Sequence, residues 1–346
     1  MLPQDALEAA RDELLEYGNT GMSVMEMSHR SKAYEEIISE ARELFYEIMN
    51  IPRSYKILFL QGGASLQFAM VPMNLLKTGA DYVLTGQFSH KAYDEALLFG
   101  KSVNIAGSTK AENYTRVPRQ DELKLDPKAD YLHICHNNTI FGTRYNYVPE
   151  TAAPVVADMS SCILSEPVDV SRYGLIYAGA QKNIAPAGLT VVIIREDIIS
   201  PPMSGTPTML NYTVMDKNDS MYNTPPTYPI YMCMLVLRRL KSLGGLSVMA
   251  EINNAKAKVL YDYIDESALF TNPVNKPDRS IMNAVFKTPS EELDALFVKE
   301  AEKAGFVNLK GHRSVGGMRA SIYNAMPSEG VTALVKFMKR FEVEHR

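Results

Sequence analysis

Apolar side chains recur at helical spacing in the first part of the chain and then give way to a strand-like run. Residues 4–17 and 31–49 both place apolar side chains every three or four positions, and Gly18 supplies a stop signal, so two helices are predicted. The run YKILFL at 55–60 predicts a short buried strand. The Gly-rich QGGASLQ that follows predicts a turn that opens a helix, which Pro72 is expected to kink or end early.

Strand-like and helix-like segments alternate over the middle of the chain. Residues 81–86 are predicted to form a strand and residues 89–100 a helix. Further predicted strands are SVNIAG, YLHICHNN, PVVADMSS, YGLIYAGA and LTVVIIRE. This alternation predicts an α/β domain built around a mostly parallel sheet.

The pattern changes near residue 246. A long amphipathic helix begins there and is followed by the predicted strand RSIMNAVFKT, a helix, a Gly-rich segment and a last helix. We therefore expect a large domain over residues 1–245 and a smaller α+β domain over residues 246–346.

The bulk composition is that of a globular protein. The chain has 346 residues, of which 46% are hydrophobic and 22% charged. Its net charge of -4 argues against a general nucleic-acid-binding protein. No apolar run approaches the roughly 20 residues that a membrane helix needs. The N-terminus lacks the apolar core of a secretory signal, so we expect a cytoplasmic protein without membrane or nucleic-acid partners.

The cysteines do not form a recognisable framework. Cys135, Cys162 and Cys233 are widely spaced, and no CxxC pair occurs. This pattern argues against a disulfide scaffold or a zinc site and fits a reducing compartment.

A lysine lies at the centre of the small and apolar stretch YGLIYAGAQKNIAPAGLTVVI. Among neighbours such as Gly179 and Ala185, Lys182 would lose hydration, which favours the neutral amine. Such an amine attacks carbonyl carbons and forms Schiff bases. The alternative is an ordinary lysine on a surface loop between two strands, since buried lysines are rare.

A carboxylate ends the predicted strand PVVAD. Asp158 there would need a cationic or hydrogen-bonding partner, and the ring nitrogen of pyridoxal phosphate is such a partner. The alternative is a residue that caps the next helix or turn. Because parallel strands end at one edge of a sheet, Asp158 and Lys182 are expected together at the edge where ligands bind.

Two kinds of feature could hold anions. The turn QGGASLQ offers backbone N–H groups at a helix N-terminus, together with the Ser65 hydroxyl. It is neither a P-loop nor a GxGxxG fingerprint, which weakens the case for a dehydrogenase. Arginine and histidine also cluster twice, where they could bind carboxylate or phosphate or could simply be solvated surface charge. These clusters are His29 with Arg30, and His312 and Arg313 with Arg319.

The chain resembles the phosphoserine aminotransferases, fold-type I pyridoxal phosphate enzymes of the class V aminotransferase family. The matching segments run from the first predicted helix almost to the last. They are SVMEMSHRS, QGGASLQF, NNTIFG, ADMSSCILSEPVDVSRYGLIYAGAQKNIAPAGLTVVI, MYNTPPTYPIY and LKGHRSVGGMRASIYNAMP.

The resemblance implies pyridoxal 5'-phosphate as the cofactor. Lys182 would form the Schiff base and then move the substrate proton, while Asp158 would pair with the ring nitrogen. Phe88 would stack on the ring where the family often has Trp, and Thr139 would hydrogen-bond near the 3′ oxygen. The phosphate would be contacted by Ala64, Ser65 and Gln181, and by Asn223 and Thr224 from the other subunit of a homodimer.

The resemblance also implies the reaction. An amino group would pass between L-glutamate and 3-phosphohydroxypyruvate, giving O-phospho-L-serine and 2-oxoglutarate in L-serine biosynthesis and, in many bacteria, also serving pyridoxine biosynthesis. Arg319 would hold the α-carboxylate. The distal phosphate or γ-carboxylate would be held by Arg30, His29, His312 and Arg313.

The sequence departs from the family pattern in two places. The turn reads GGAS where other members have GGG and a different residue next, so Ser65 and the backbone are expected to hold the phosphate. The family usually opens with a segment like NFSAGPA before the Leu-Pro pair, and this sequence starts at Met1, which leaves full activity open.

Two other functions stay open. A desulfurase or lyase of the same fold would need a reactive thiol on a mobile loop, and no such loop is evident around Cys162. A non-catalytic protein that keeps the fold and binds the cofactor without turnover is the second.

Overall fold

The computed structural model describes residues 2–345. Its helices are α1 (Gln4–Asp12), α2 (Lys32–Ile48), α3 (Gly63–Leu75), α4 (Gln87–Leu97), α5 (Tyr212–Lys217), α6 (Thr227–Ser242), α7 (Gly245–Glu266), α8 (Glu291–Lys303) and α9 (Ser328–His345). Its strands are β1 (Tyr55–Leu60), β2 (Gly79–Leu84), β3 (Ser102–Ser108), β4 (Leu132–Cys135), β5 (Asn137–Asn138), β6 (Thr143–Arg144), β7 (Val155–Asp158), β8 (Leu175–Gly179), β9 (Thr190–Arg195), β10 (Asn283–Phe286) and β11 (Met318–Ser321). Within this part of the chain, no helix combines the length and apolar character needed to cross a bilayer.

The central sheet has the strand order β1-β9-β8-β7-β4-β2-β3. Neighbours from β8 to β3 are parallel, whereas β9 runs antiparallel to both β8 and β1. The sheet is therefore mixed but mostly parallel, as the sequence predicts. Because β9 is reversed between them, β1 and β8 point the same way, and the carboxyl ends of β1, β7 and β8 meet at one edge.

The central strands are buried on both faces. Along β7, Val155 and Ala157 pack into one core and Val156 into another, as the two-residue period of a strand requires. Helices α2 and α6 contribute to the first core, and α3 and α4 to the second. Strands covered on both sides read as continuous apolar runs, which explains why they are easily predicted.

Helix α6 could not be predicted from periodicity. Its residues from Ile230 to Leu237 are all buried, and it packs against α2 inside the first core. A helix that is apolar all round shows no amphipathic stripe. The sequence therefore indicated only a core-sized apolar run there.

Two predicted helix ends are wrong. Helix α1 stops at Asp12 rather than near 17, because Leu15 has no apolar surface to cover and is 85% exposed. The early end expected at Pro72 is wrong, because α3 continues to Leu75, while the alternative of a kink at Pro72 stays a prediction. Pro72 lies in its last turn, where the lost N–H affects a single bond, and the Pro72 carbonyl still accepts from the N–H of Leu76.

The C-terminal part of the chain has a core of its own. Residues 257–341 supply its buried members, from α7, α8, α9 and the antiparallel pair β10 and β11. Strand β11 carries Arg319 towards the edge where β7 and β8 end. The domain division at 245/246 stays a prediction.

Candidate active site

Polar side chains follow the carboxyl ends of β1, β7 and β8 and surround one cavity of about 480 Å³. Strand β1 leads into α3, β7 ends at Asp158, and Lys182 follows β8. Asp158 lies opposite Tyr177 in the parallel pair of β7 and β8. Asp158 and Lys182 both line this cavity, so the two residues lie together at this edge of the sheet, as the sequence predicts. A larger groove of about 660 Å³ between α1, α6 and α7 has no lysine in its lining.

Lys182 points into the cavity and is half-buried. Its Nζ donates to Thr139 Oγ1 at 2.8 Å and lies 5.7 Å from the centre of the Phe88 ring. Phe88 is at the start of α4, and its ring lines the same cavity. The amine is therefore held between a hydroxyl and an aromatic face rather than released into solvent.

Asp158 lies at the floor of the cavity and is 6% exposed. Burial raises the pKa of the Asp158 carboxyl above its usual range, although hydrogen bonds from Ser160 and the charge of Lys182 oppose the shift. The backbone N–H of Ser160 donates to Asp158 Oδ1 at 2.9 Å, which fixes the carboxyl group. A buried carboxylate without a cation in contact is costly, so this group is prepared for a positively charged partner.

The first turn of α3 forms an anion site beside it. Gly62 has a φ of +89°, and a Cβ there would lie 2.3 Å from Leu66 Cδ2, so only glycine permits this turn. Ala64 and Ser65 follow in the first turn, where backbone N–H groups have no helical partner. A Cβ at Gly179, at the end of β8, would lie 2.8 Å from Oε1 of the exposed Gln181 side chain, which would have to move to make room. Gln181 reaches the same cavity.

The substrate side of the cavity carries a cationic cluster. His312, Arg313 and Arg319 all line it. Arg319 Nη1 donates to the carbonyl of Thr139 at 3.3 Å, while its Nε is buried without a partner. His312 Nδ1 lies 2.7 Å from Ser314 Oγ, which orients the ring. The unpaired, buried Nε of Arg319 favours an anionic ligand here.

Four predicted site residues lie outside the cavity of their own chain. Arg30 is exposed, and His29 Nε2 is buried without a partner. Asn223 and Thr224 are exposed near Gln61, whose Nε2 donates to the Thr224 carbonyl at 3.0 Å. None of His29, Arg30, Asn223 and Thr224 is among the described residues that line the cavity.

The structure adds cavity residues that were not singled out from the sequence. Asn137 donates to Ser161 Oγ at 2.7 Å and to Asn283 Oδ1 at 2.9 Å, and its own Oδ1 is buried without a partner. Ser160 Oγ accepts from the N–H of Gly179 at 3.1 Å, tying the ends of β7 and β8 together. Both residues stand in segments that carried the family resemblance, beside Thr139 and Asp158, which was the available signal.

The residues around the cavity fit pyridoxal phosphate. A lysine amine, a buried carboxylate with a raised pKa, an aromatic face and a helix N-terminus are the four features that such a group needs. Asn137 Oδ1 and Arg319 Nε are buried and have no hydrogen-bond partner within the chain, so one acceptor and one donor remain for a bound ligand. Lys182, Asp158, Phe88 and the first turn of α3 would hold the cofactor.

Known proteins are similar in sequence to this chain over its whole length. The model of the class-V aminotransferase family matches residues 1–334. A phosphoserine aminotransferase of Bacillus cereus (strain ATCC 10987 / NRS 248) is 55% identical over 349 residues, covering 100% of this chain and 97% of that protein.

Solved structures agree with this likeness. A phosphoserine aminotransferase studied for radiation damage of its Schiff base is 51% identical, has a TM-score of 0.98, and covers 99% of this chain and 96% of its own. A PLP-bound phosphoserine aminotransferase from Trichomonas vaginalis is 40% identical, has a TM-score of 0.94, and covers 98% of this chain and 97% of its own. The expected α/β architecture with a fold-type I PLP-binding sheet is confirmed. The chain therefore belongs to the class-V aminotransferase family, among relatives that carry the name phosphoserine aminotransferase.

Proposed function

We propose that the protein is a PLP-dependent phosphoserine transaminase. It transfers an amino group between L-glutamate and 3-phosphohydroxypyruvate, giving O-phospho-L-serine and 2-oxoglutarate, and so serves L-serine biosynthesis. The observation that carries this proposal is one cavity that joins Lys182 and buried Asp158 to the side chains of Arg319, His312 and Arg313. A route to pyridoxine is a further proposal that rests on the family resemblance alone.

The chain supplies binding, orientation and proton transfer. When bound, pyridoxal phosphate supplies an electron-accepting ring that stabilises the charge left at the substrate α-carbon. Asp158 would hold the ring nitrogen through its buried carboxyl group and so favour the protonated ring. Lys182 would hold the cofactor through its amine, and once the substrate amine has displaced it, its free Nζ would take the substrate α-proton and act as the general acid and base of the transfer. Thr139 orients that Nζ.

The cationic side of the cavity selects the substrates. Arg319 lines the cavity and would bind the α-carboxylate, which both amino-acid and keto-acid substrates carry. His312 and Arg313 line it too and would bind the distal anion, a phosphate in one half-reaction and a carboxylate in the other. A planar guanidinium donates to both kinds of anion, so one cavity serves both half-reactions.

A homodimer would complete the site. His29, Arg30, Asn223 and Thr224 lie away from the cavity of their own chain. We propose that Asn223 and Thr224 reach the cofactor phosphate of the partner subunit, and that His29 and Arg30 supply distal-anion contacts across the same interface. The unpartnered His29 Nε2 supports a role that the single chain does not fulfil. A cytoplasmic location is likewise proposed.

A desulfurase is disfavoured by the state of the thiols. Such an enzyme needs an accessible, ionisable cysteine. Burial raises the pKa of Cys162 and of Cys135, the thiol that lines the cavity. Both groups therefore stay protonated and weakly nucleophilic.

A coupled transamination assay tests the proposed function. Purified protein is supplied with O-phospho-L-serine and 2-oxoglutarate, and glutamate formation is followed. We expect turnover with these substrates and at least about a hundredfold lower kcat/KM with L-serine, because the distal-anion contacts are then lost. Cofactor binding without turnover would identify the non-catalytic alternative.

A further inference from the structure

One lysine outside the cavity is completely buried. Lys256 on α7 is 1% exposed, and its Nζ lies close to four backbone carbonyl oxygens. The distances are 3.3 Å to Ile322, 2.9 Å to Tyr323, 3.5 Å to Asn324 and 3.1 Å to Met326. Among the ion pairs of residues 2–345, none includes Lys256. The carbonyl groups of residues 322–326 thus replace both the water and the counter-ion of a buried cation.

Buried lysines are uncommon because the charged amine loses its hydration. Burial lowers the pKa of Lys256 to about 8, so the amine still carries its charge near pH 7. An ammonium has three donors and no acceptor, which matches a set of convergent carbonyl groups that accept hydrogen bonds and have no donor to offer. The Lys256 amine therefore binds the backbone of residues 322–326.

That stretch of backbone adjoins the proposed active site on one side. Residues 322–326 continue directly from β11, which carries Arg319. The N–H of Asn324 donates to Asn183 Oδ1 at 3.0 Å, and Asn183 lies in the turn after β8. Asn183 is the residue after Lys182. The segment therefore connects the strand of the substrate arginine with the turn of the lysine.

Helix α7 grips the same segment with a second side chain. Asn253 is 0% exposed and lies one turn before Lys256, on the same face of the helix. Its Nδ2 donates to Asn324 Oδ1 at 2.9 Å and to the carbonyl of Ser165 at 2.9 Å. Asn324 Nδ2 in turn donates to the carbonyl of Leu164 at 2.7 Å. Residues 322–326 are thus held from both α7 and the segment that follows β7.

A second connection reaches the cavity itself. Tyr323 Oη accepts from Asn283 Nδ2 at 3.1 Å, and Asn283 Oδ1 accepts from Asn137 Nδ2 at 2.9 Å. Asn137 lines the cavity. Movement of the 322–326 segment would therefore disturb both the Lys182 turn and the cavity wall.

We infer that Lys256 is a positioning residue, whose ammonium fixes residues 322–326 and thereby the placement of Arg319 relative to Lys182. The inference rests on the proposed roles of Arg319 and Lys182. Lys256 touches neither substrate nor cofactor and acts through the backbone that it binds. Its loss leaves the chemistry in place and weakens the grip on the substrate carboxylate.

The test compares Lys256→Met with Lys258→Met in the holoenzyme at pH 7. Methionine keeps the length of the side chain and removes its donors. Lys258 is the matched control, since it is exposed on the same helix and pairs with Asp262 at 2.6 Å. For each variant, KM and kcat are measured with glutamate and 3-phosphohydroxypyruvate at saturating cofactor, and amide hydrogen exchange is followed in the peptide covering 318–326.

For Lys256→Met we expect about tenfold higher KM for both substrates, a smaller change in kcat, and at least about tenfold faster exchange in residues 318–326. The visible cofactor band stays. Lys258→Met behaves like the unchanged protein. If Lys256→Met only destabilised the protein, less enzyme would fold, but the KM of the folded enzyme would not change. Unchanged KM values, or unchanged exchange in residues 318–326, overturn the inference.

A second variant covers the case in which Lys256→Met does not fold. Lys256→Gln keeps two donors on a shorter side chain, so KM and exchange should shift in the same direction by a smaller factor. Wild-type values for this variant also overturn the inference. Failure of the proposed function is separate, because it appears as absent transamination in the unchanged protein. The exchange measurement does not require activity, and it still decides whether Lys256 holds the segment.

Discussion

Lys182 Nζ donates a hydrogen bond to Thr139 Oγ1 at 2.8 Å. The carbonyl of the same threonine accepts from Arg319 Nη1 at 3.3 Å. One residue therefore orients the amine that would hold the cofactor and the guanidinium that would bind the substrate carboxylate. Because of these two contacts, we expect substitutions of Thr139 to affect the activity of the proposed site.

Replacing Thr139 by valine should slow turnover while leaving the cofactor attached. Valine has nearly the same shape and no hydroxyl, so it removes the hydrogen bond to Lys182 together with the contact that the family resemblance implies near the cofactor's 3′ oxygen. Hydrogen bonds to charged groups contribute roughly 1.5–3 kcal/mol, and we expect kcat to fall about tenfold or more. Steady-state assays and the visible spectrum of the purified variant measure both effects.

Thr139→Ser is the matched control, because it keeps the hydroxyl and loses one methyl group. Its kcat should stay within about threefold of the unchanged enzyme. Equal loss in the serine and valine variants would show that packing, and not the hydrogen bond, explains the role of Thr139.

Asp158→Asn should weaken catalysis and stabilise the cofactor-free protein. Asparagine cannot keep the ring nitrogen protonated, so we expect a loss in kcat on the order of a hundredfold. Without cofactor, however, the buried carboxylate lacks a cationic partner in contact and carries the cost of desolvation. The neutral amide avoids that cost and can still accept from the N–H of Ser160.

The stability difference should depend on pH. Burial raises the pKa of Asp158, so the folded protein binds this proton more tightly than the unfolded chain. The stability contributed by that proton is fully present below the usual pKa of 3.8 and is lost as the pH rises through the raised value. In urea unfolding of the cofactor-free proteins, the asparagine variant should therefore have the higher free energy of unfolding at pH 7. The difference between the two proteins should be smaller at pH 4. A variant that is less stable at pH 7 would contradict the proposed cost of burial.

Arg319→Lys should raise the KM values of both substrates. Lysine keeps the charge but cannot donate two parallel hydrogen bonds to a carboxylate, so we expect an increase of about tenfold or more with glutamate and with 3-phosphohydroxypyruvate. Arg340→Lys is the control, since Arg340 is exposed on α9 and lies 3.8 Å from Glu344. An unchanged KM for either substrate would contradict the assignment of Arg319 to the α-carboxylate, because both substrates carry that group.

Mixing two inactive variants tests whether subunits share the site. One variant carries Lys182→Ala, and the other carries Asn223→Ala with Thr224→Ala. If Asn223 and Thr224 serve the partner's cavity, each mixed dimer has one intact site. Random exchange then restores about a quarter of the wild-type sites. Activity that stays at the level of the separate variants would place these residues in their own subunit's site or outside it.

The parts of the fold that could be predicted are those whose sequence pattern reflects their burial. Strand β1 and the edge shared by Asp158 and Lys182 follow from short apolar runs that end in polar residues. Helix α6 could not be predicted, because its burial on all sides erases the amphipathic period. The reversed direction of β9 follows from its short connection to β8 over residues 180–189, whereas its pairing with β1 is long-range and no local pattern records it.

The same distinction separates the site residues that could be predicted from the sequence from those that could not. Asp158 and Lys182 are recognisable because each is a charged residue among apolar neighbours. Asn137 is not recognisable in that way, since its role depends on Ser161 and Asn283, which are distant in sequence. Lys256 was likewise not singled out, although its helical spacing from Met249 and Leu260 places it on the buried face of α7. Only the tertiary structure brings the carbonyl groups of 322–326 to its amine.

The covalent attachment of the cofactor to Lys182 can be measured directly. The purified yellow protein is reduced with borohydride and digested, and the peptides are analysed by mass spectrometry. We expect the added mass of a reduced phosphopyridoxyl group on the peptide that contains Lys182, and no such label in Lys182→Ala protein. A label on a different lysine, or a labelled Lys182→Ala protein, would contradict the assignment of Lys182 as the cofactor-binding residue.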